Sequence, residues 1–222
     1  MLVLTGCEWL GIGKQPQATP EEAYLAYVEA EASGDVETLV ALTIGGTDFD
    51  RELTFGRARQ TQLSHAIHRQ VRTRFGDAGW EALNGRRPGS PGPPFRLRSE
   101  SVEDVVEEAR AELQSAGLEV DVSGDTAIIF DPSVGRDPAY AFLRRTYRGW
   151  LHDLGRQNPA ELEPEQRAEA ARRLGQMLEA LEAVLAQAED PRSTLEDVRQ
   201  AKEVYDVAMG ELMGFLIRAS RP

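Results

Sequence analysis

From Leu118 onward, apolar and polar residues alternate: Leu118, Val120 and Val122 interleave with Glu119 and Asp121. A period of two marks a strand with one buried face. Ser123-Gly124 supplies a tight turn, and the β-branched run 126–130 predicts a second strand. Asp131-Pro132 and residues 135–138 break the ladder, because proline cannot donate to it. Residues 139–147 read as a longer strand, Arg148-Gly149 as a second turn, and 150–154 as the strand that closes a meander. On this register Trp150, His152 and Leu154 share the buried face, while Leu151 and Asp153 point the other way.

Helical periods lie on both sides of the meander. Thr19-Pro20-Glu21-Glu22 is a strong helix start, with Thr at the N-cap, Pro at the first position and Glu reaching back. Tyr24, Leu25, Tyr27, Val28 and Ala32 form its apolar face; Ser33-Gly34 ends it, and Asp35 opens a second helix through Leu42. Gly45-Gly46 breaks the chain. Leu63, Ile67, Val71 and Phe75 repeat every four residues and predict a helix over 55–75. Residues 84–94 form a loop inside the domain, and Ser101 with Asp104 caps a helix running to Ala116. Beyond Leu154, Leu174, Met177, Leu178, Leu181, Val184, Leu185 and Ala188 recur at heptad spacing. After Asp190-Pro191, a capping box of Ser193 and Glu196 starts a last helix with a matching stripe: Leu195, Val198, Tyr205, Ala208, Leu212 and Phe215. Two such helices on a short link predict an antiparallel αα-hairpin, docked on its own domain or on a dimer mate.

The run Val-x-Val-x-Gly-Asp-Thr-Ala-Ile-Ile over 120–129, then Arg148-Gly149-Trp150-x-x-Asp153-Leu154, resembles the closing hairpins of the nuclear-transport-factor-2-like (SnoaL-like) superfamily. The stretch 19–42 resembles the first helices of its small bacterial lipoprotein branch. The resemblance implies an α+β fold, a curved antiparallel sheet wrapped by N-terminal helices into a cone, followed here by the C-terminal αα-hairpin. The domain reading is therefore a truncated lipoprotein signal and tether at 1–17, the cone at 18–155 and the hairpin at 156–222. The superfamily holds isomerases, dehydratases, binding modules and oligomerisation domains, so the fold alone does not select a function.

The net charge of −12 argues against a nucleic-acid partner, and no apolar run is long enough to span a bilayer. The single cysteine matters by position: Leu4-Thr5-Gly6-Cys7 resembles the lipobox, in which the cysteine thiol takes up a lipid. This predicts a membrane-tethered chain of the bacterial envelope, lipidated at Cys7. Residues 51–98 carry ten Lys or Arg against three acids, an excess of +7 that leaves −19 elsewhere. That excess reads as complementarity with the acidic helices, with lipid headgroups as the alternative.

Phosphate-cradling loops, nucleophile elbows, Cys-x-x-Cys and His-Glu-x-x-His are absent from the sequence, so no cofactor or metal is expected. His65 and His68 share a helix face but lack further ligands and read as a solvated polar face. His152 is the pointed residue, because an imidazole on the tryptophan face should meet the core or the mouth of the cone. It reads as a structural histidine held by one hydrogen bond; the alternative is a general base in a pocket. Tyr24, Tyr27 and Tyr140 are its candidate neighbours, and Trp150, His152, Tyr140 and Tyr27 the candidate ligand-binding set. The leading expectation is a non-enzymatic domain that binds a small ligand or a protein. An isomerase- or dehydratase-like enzyme around His152, or an oligomerisation module forming a homodimer, are the alternatives.

Overall fold

The computed structural model describes residues 17–85, 97, 101–115, 117–136, 139–157 and 162–219. Its order is α1 (Pro20–Ser33), α2 (Val36–Leu42), β1 (Thr43–Ile44), α3 (Asp48–Asn84), α4 (Val102–Gln114), β2 (Glu119–Ser123), β3 (Thr126–Phe130), β4 (Ala141–Thr146), β5 (Gly149–Asp153), α5 (Leu154–Gln157), α6 (Pro164–Glu189) and α7 (Leu195–Ala219). The class is α+β: seven helices and one five-stranded open sheet among the described residues.

The sheet runs β1-β5-β4-β3-β2 and is mixed, which corrects the all-antiparallel expectation. β2 to β5 form the expected meander, but β1 lies parallel to β5, Thr43 opposite His152 and Ile44 opposite Asp153. A two-residue strand carries no period to read. The turns also shift by one residue: β2 ends at Ser123 and β4 at Thr146, so Gly124-Asp125 and Tyr147-Arg148 form the corners. Leu154, expected on the last strand, instead opens α5 and is buried there.

The opening helix behaves as its residues direct. Glu22 N donates to the Thr19 hydroxyl at 3.2 Å, and the Glu22 carboxylate accepts from Thr19 N at 3.4 Å. Gly34, at φ 72°, ends α1 in the left-handed region that glycine adopts without strain. α1 then packs both ways. Ala23 and Tyr24 join Ala127, Ile129, Ala141, Leu143 and Trp150 over the sheet, together with Ala109 of α4. Ala30 meets Leu39, Leu42 and Ala58 on α2 and α3.

α3 is longer than its apolar period implied. Thr47 and Asp50 cap it, with Thr47 eight residues ahead of the expected start at residue 55, and it continues beyond a break at Gly76, where φ is 71° and ψ −175°. Leu63, Ile67 and Val71 do face inward, onto Leu174, Met177, Leu181, Val184 and Ala188 of α6 and Val198, Tyr205, Met209 and Leu212 of α7. The hairpin thus docks on α3 of its own chain. Gly56 sets the approach: a Cβ there would lie 2.7 Å from a Leu174 methyl. Arg74 closes the far end, donating at 2.6 Å each to the carbonyl of Ala188, an acceptor in the last turn of α6, and to that of Ser193 in the link to α7. The start of α7 corrects one detail: Thr194 and Asp197, not Ser193 and Glu196, cap it reciprocally at 3.3 and 2.7 Å.

Inside this bundle Lys202 is buried, its ammonium donating at 2.9 Å to both carboxylate oxygens of Asp206 one turn along. Burial lowers the Lys202 pKa, and Asp206 pulls it back up. Removing Asp206 strands the buried ammonium, whereas an apolar replacement of the lysine removes that charge and leaves only the partly exposed Asp206 carboxylate. Asp206→Ala should cost about 2–3 kcal/mol in urea unfolding and Lys202→Met about nothing. Equal and negligible effects of the two would show that the pair is solvated.

Candidate functional site

The site is built on β5 beneath α1. In the register, Leu143 of β4 and Thr43 of β1 flank His152, and directly paired residues share a face, so the imidazole points to the side that carries Trp150 and Leu143. The expected side is therefore correct, and a slip of one residue is excluded. Tyr27 of α1 covers the imidazole: the ring centroids are 3.9 Å apart and the planes 17° from parallel. His152 is 2% exposed.

What holds His152 differs from expectation. Neither Nδ1 nor Nε2 has a hydrogen-bond partner, so the one bond expected of a structural histidine is missing. The polar neighbour expected of a catalytic one is missing too. The imidazole is stacked on Tyr27 and forms no hydrogen bond with a described residue. Burial pulls the imidazole pKa from 6.5 down to about 3, so the ring is neutral at any ordinary pH. A general base works through a hydrogen bond to the proton it takes, and neither ring nitrogen has a partner among the described residues.

The tyrosines divide around it. Burial raises the Tyr27 pKa, with Glu31 adding to the rise, while Arg57 and the Thr54 hydroxyl act against it. Tyr24 lies in the cluster of Trp150, and burial, then Glu112, Tyr140 and Glu31, push its phenol up to about 12. Tyr140 precedes β4, is half exposed and is an electrostatic neighbour of Tyr24. Of the expected set, the structure brings Tyr27 onto His152, puts Trp150 in the adjoining core and leaves Tyr140 at the rim.

The opposite face of β5 holds a constellation that periodicity treated as outward-facing. The Asp153 carboxylate is 5% exposed, and its Oδ2 accepts from both Arg144 Nε at 3.0 Å and Nη2 at 2.6 Å, a charge-assisted pair. Its other oxygen accepts from Gly155 N at 3.2 Å. Gly45, at φ 71°, passes so close that a Cβ would lie 2.8 Å from that oxygen. The charges are paired, and Asp153 links Arg144 of β4 to the β5–α5 corner at Gly155, with the backbone at Gly45 packed beside it. Leu151 is buried on this face, where α5 packs against β4. The signal was present in sequence as an acid after an outward leucine, but alternation assigns both to solvent.

His68 lies against Trp80, with centroids 4.5 Å apart, and burial followed by the neighbouring Arg72 lowers its pKa. No group of three or more His, Cys, Asp or Glu able to hold a metal occurs among the described residues. No described helix is long and apolar enough to cross a membrane. Of the basic stretch, Arg59 pairs with Glu182 of α6 at 3.0 Å and Arg74 bonds the hairpin carbonyls, while Arg86, Arg87, Arg96 and Arg98 lie outside the described residues. Cys7 and most of the 84–94 loop also lie outside them.

The fold and site define an α+β protein with a stacked, unpartnered histidine beneath its first helix and a helical bundle built on its third. No family model, curated protein or solved structure matches the chain.

Proposed function

We propose that this chain is a non-enzymatic binding domain of the bacterial envelope, held at the membrane by a lipid on Cys7 and taking a small ligand or a protein. The nuclear-transport-factor-2-like reading of the α+β part belongs to this proposal, including a sheet curved into a cone. Support for that reading comes from the meander of β2 to β5 with α1 and α4 across one face.

The observation that favours binding over catalysis is the closed, partnerless setting of His152: 2% exposed, both nitrogens unbonded and a pKa near 3. An isomerase or dehydratase would need this imidazole reachable and coupled to a second polar group. The oligomerisation reading draws on exposed Val204, Val207, Met213 and Ile217 of α7, but exposed Glu203, Glu211 and Arg218 interleave with Val207. The patch is thereby broken, and such breaks oppose a large apolar interface.

The anchor is tested on the native protein. Mass spectrometry of the N-terminal peptide should show Cys7 as the first residue, carrying diacylglycerol. An intact peptide with a free Cys7 thiol sinks the lipoprotein reading.

A further inference from the structure

The apolar interior is divided, and α3 is the element that its parts share. Leu63, Ile67, Val71 and Leu83 of α3 pack with α6 and α7, and none of α1, α2, α4 or the sheet contributes a described residue to that core. The sheet layer has its own interior. Ala23 and Tyr24 of α1 and Ala109 of α4 cover Ile129, Leu143 and Trp150 of the strands. Beside them Ala30, Leu39, Leu42 and Ala58 form a second small cluster, with Tyr27 and Phe55 packed against it. The sheet layer thus meets α3 near its start, at Phe55 and Ala58, while the bundle runs along α3 from Gly56 onward.

His152 belongs to the sheet layer. Thr43 of β1 and Leu143 of β4 flank it, and the Tyr27 ring of α1 covers it. Around Tyr27 stand Glu31 of the same helix and Thr54 and Arg57 of α3, while Asp153 and Arg144 lie on the opposite face of the sheet and pair with each other. None of these bonds the imidazole. Its two nitrogens are the only buried side-chain nitrogen or oxygen atoms of the described residues without a hydrogen-bond partner. A proton added there meets no acceptor inside the fold, so the ring takes one only when the layer over it opens. The bundle imposes no such condition. His65 and His68 on α3 are only partly buried, and the buried ammonium of Lys202 is already paired with Asp206.

We propose that acidification opens the sheet layer together with α1 while the bundle of α3, α6 and α7 stays folded. His152 is the trigger, and the division of the interior sets what opens with it. Openings short of complete unfolding follow contiguous packing units, and here the boundary between units runs along α3. In the opened layer the imidazole has its ordinary pKa of 6.5, against about 3 in the closed one. Between these values each unit of pH favours the opened layer by about ten-fold. Neither the lipid anchor nor a bound ligand is needed for the switch.

Amide hydrogen exchange on the full-length chain, corrected for the intrinsic rates at each pH, reads the two parts separately. Between pH 7.5 and 4.5 the opening constants of amides in α1 and in β3 to β5 should rise about 100-fold. Those of α6 and α7 should stay nearly constant. In His152→Leu, which keeps the fold and loses the titrating ring, the rise in α1 and the strands should vanish. A rise of the same size in α6 and α7 would make the chain one cooperative unit and overturn the proposal. A rise that survives in His152→Leu, or the absence of any rise in the wild type, overturns it as well.

Discussion

His152→Leu should raise stability by about 1–2 kcal/mol at pH 7 and flatten the protein's loss of stability on acidification. Two buried nitrogens without partners each carry a desolvation penalty of about 1–3 kcal/mol, and leucine removes both at similar volume. The variant forfeits the stack on Tyr27, worth about 0.5–1.5 kcal/mol, so the net gain is smaller than the penalties alone. The pH dependence follows from the pKa held near 3 in the fold against an ordinary 6.5. Above pH 6.5 the ring is neutral folded or unfolded, and no linkage arises. Between 6.5 and 3 the unfolded chain binds the proton and the folded chain does not, so stability falls as pH falls, by about 1.4 kcal/mol per unit.

Wild type should therefore lose about 3 kcal/mol more than His152→Leu between pH 7.5 and 4.5. Asp131, Asp190, Asp197 and Glu169, all held below their ordinary values by hydrogen bonds, add acid sensitivity common to both proteins. Only the difference between the two reports on His152. Parallel urea unfolding curves across that range would show an imidazole in contact with water. His152→Gln, tolerable for a singly bonded structural histidine, should instead cost about 1–3 kcal/mol, since its amide brings donors and acceptors to a place that offers none.

Removal of residues 158–222 should abolish the cooperative melt of the monomer. The hairpin covers Leu63, Ile67 and Val71 of α3, which are essentially inaccessible in the fold. Uncovering three such side chains costs about 5–8 kcal/mol, comparable to the whole stability of a typical domain. The truncated chain should either lose its thermal transition or bury the stripe against a second copy, which light scattering distinguishes. A truncated monomer melting at the wild-type temperature would mean that the bundle contributes nothing to the fold.

Local pattern sufficed for much of this architecture because its signals act within a few residues. Thr19 and Glu22 cap α1 through contacts three residues apart, and the alternation from Leu118 and the heptads from Leu174 mark faces that must be buried somewhere. The face of His152 followed from the same alternation. Partnership does not lie in that pattern. Tyr27 meets His152 only because α1 crosses β5, a contact spanning more than a hundred residues, and no local rule foretells that both ring nitrogens go unbonded. β1 is two residues long and exists because β5 offers it an edge. Asp153 looks outward by parity, yet it is buried because Arg144 and the Gly45 corner close over it. By itself, then, the sequence determined the meander of β2 to β5, most of the helices and one apolar face of each, but not β1, the full extent of α3 or the buried second face of β5. The tertiary structure alone decided what each face meets, because burial and pairing depend on distant elements brought within a few ångströms.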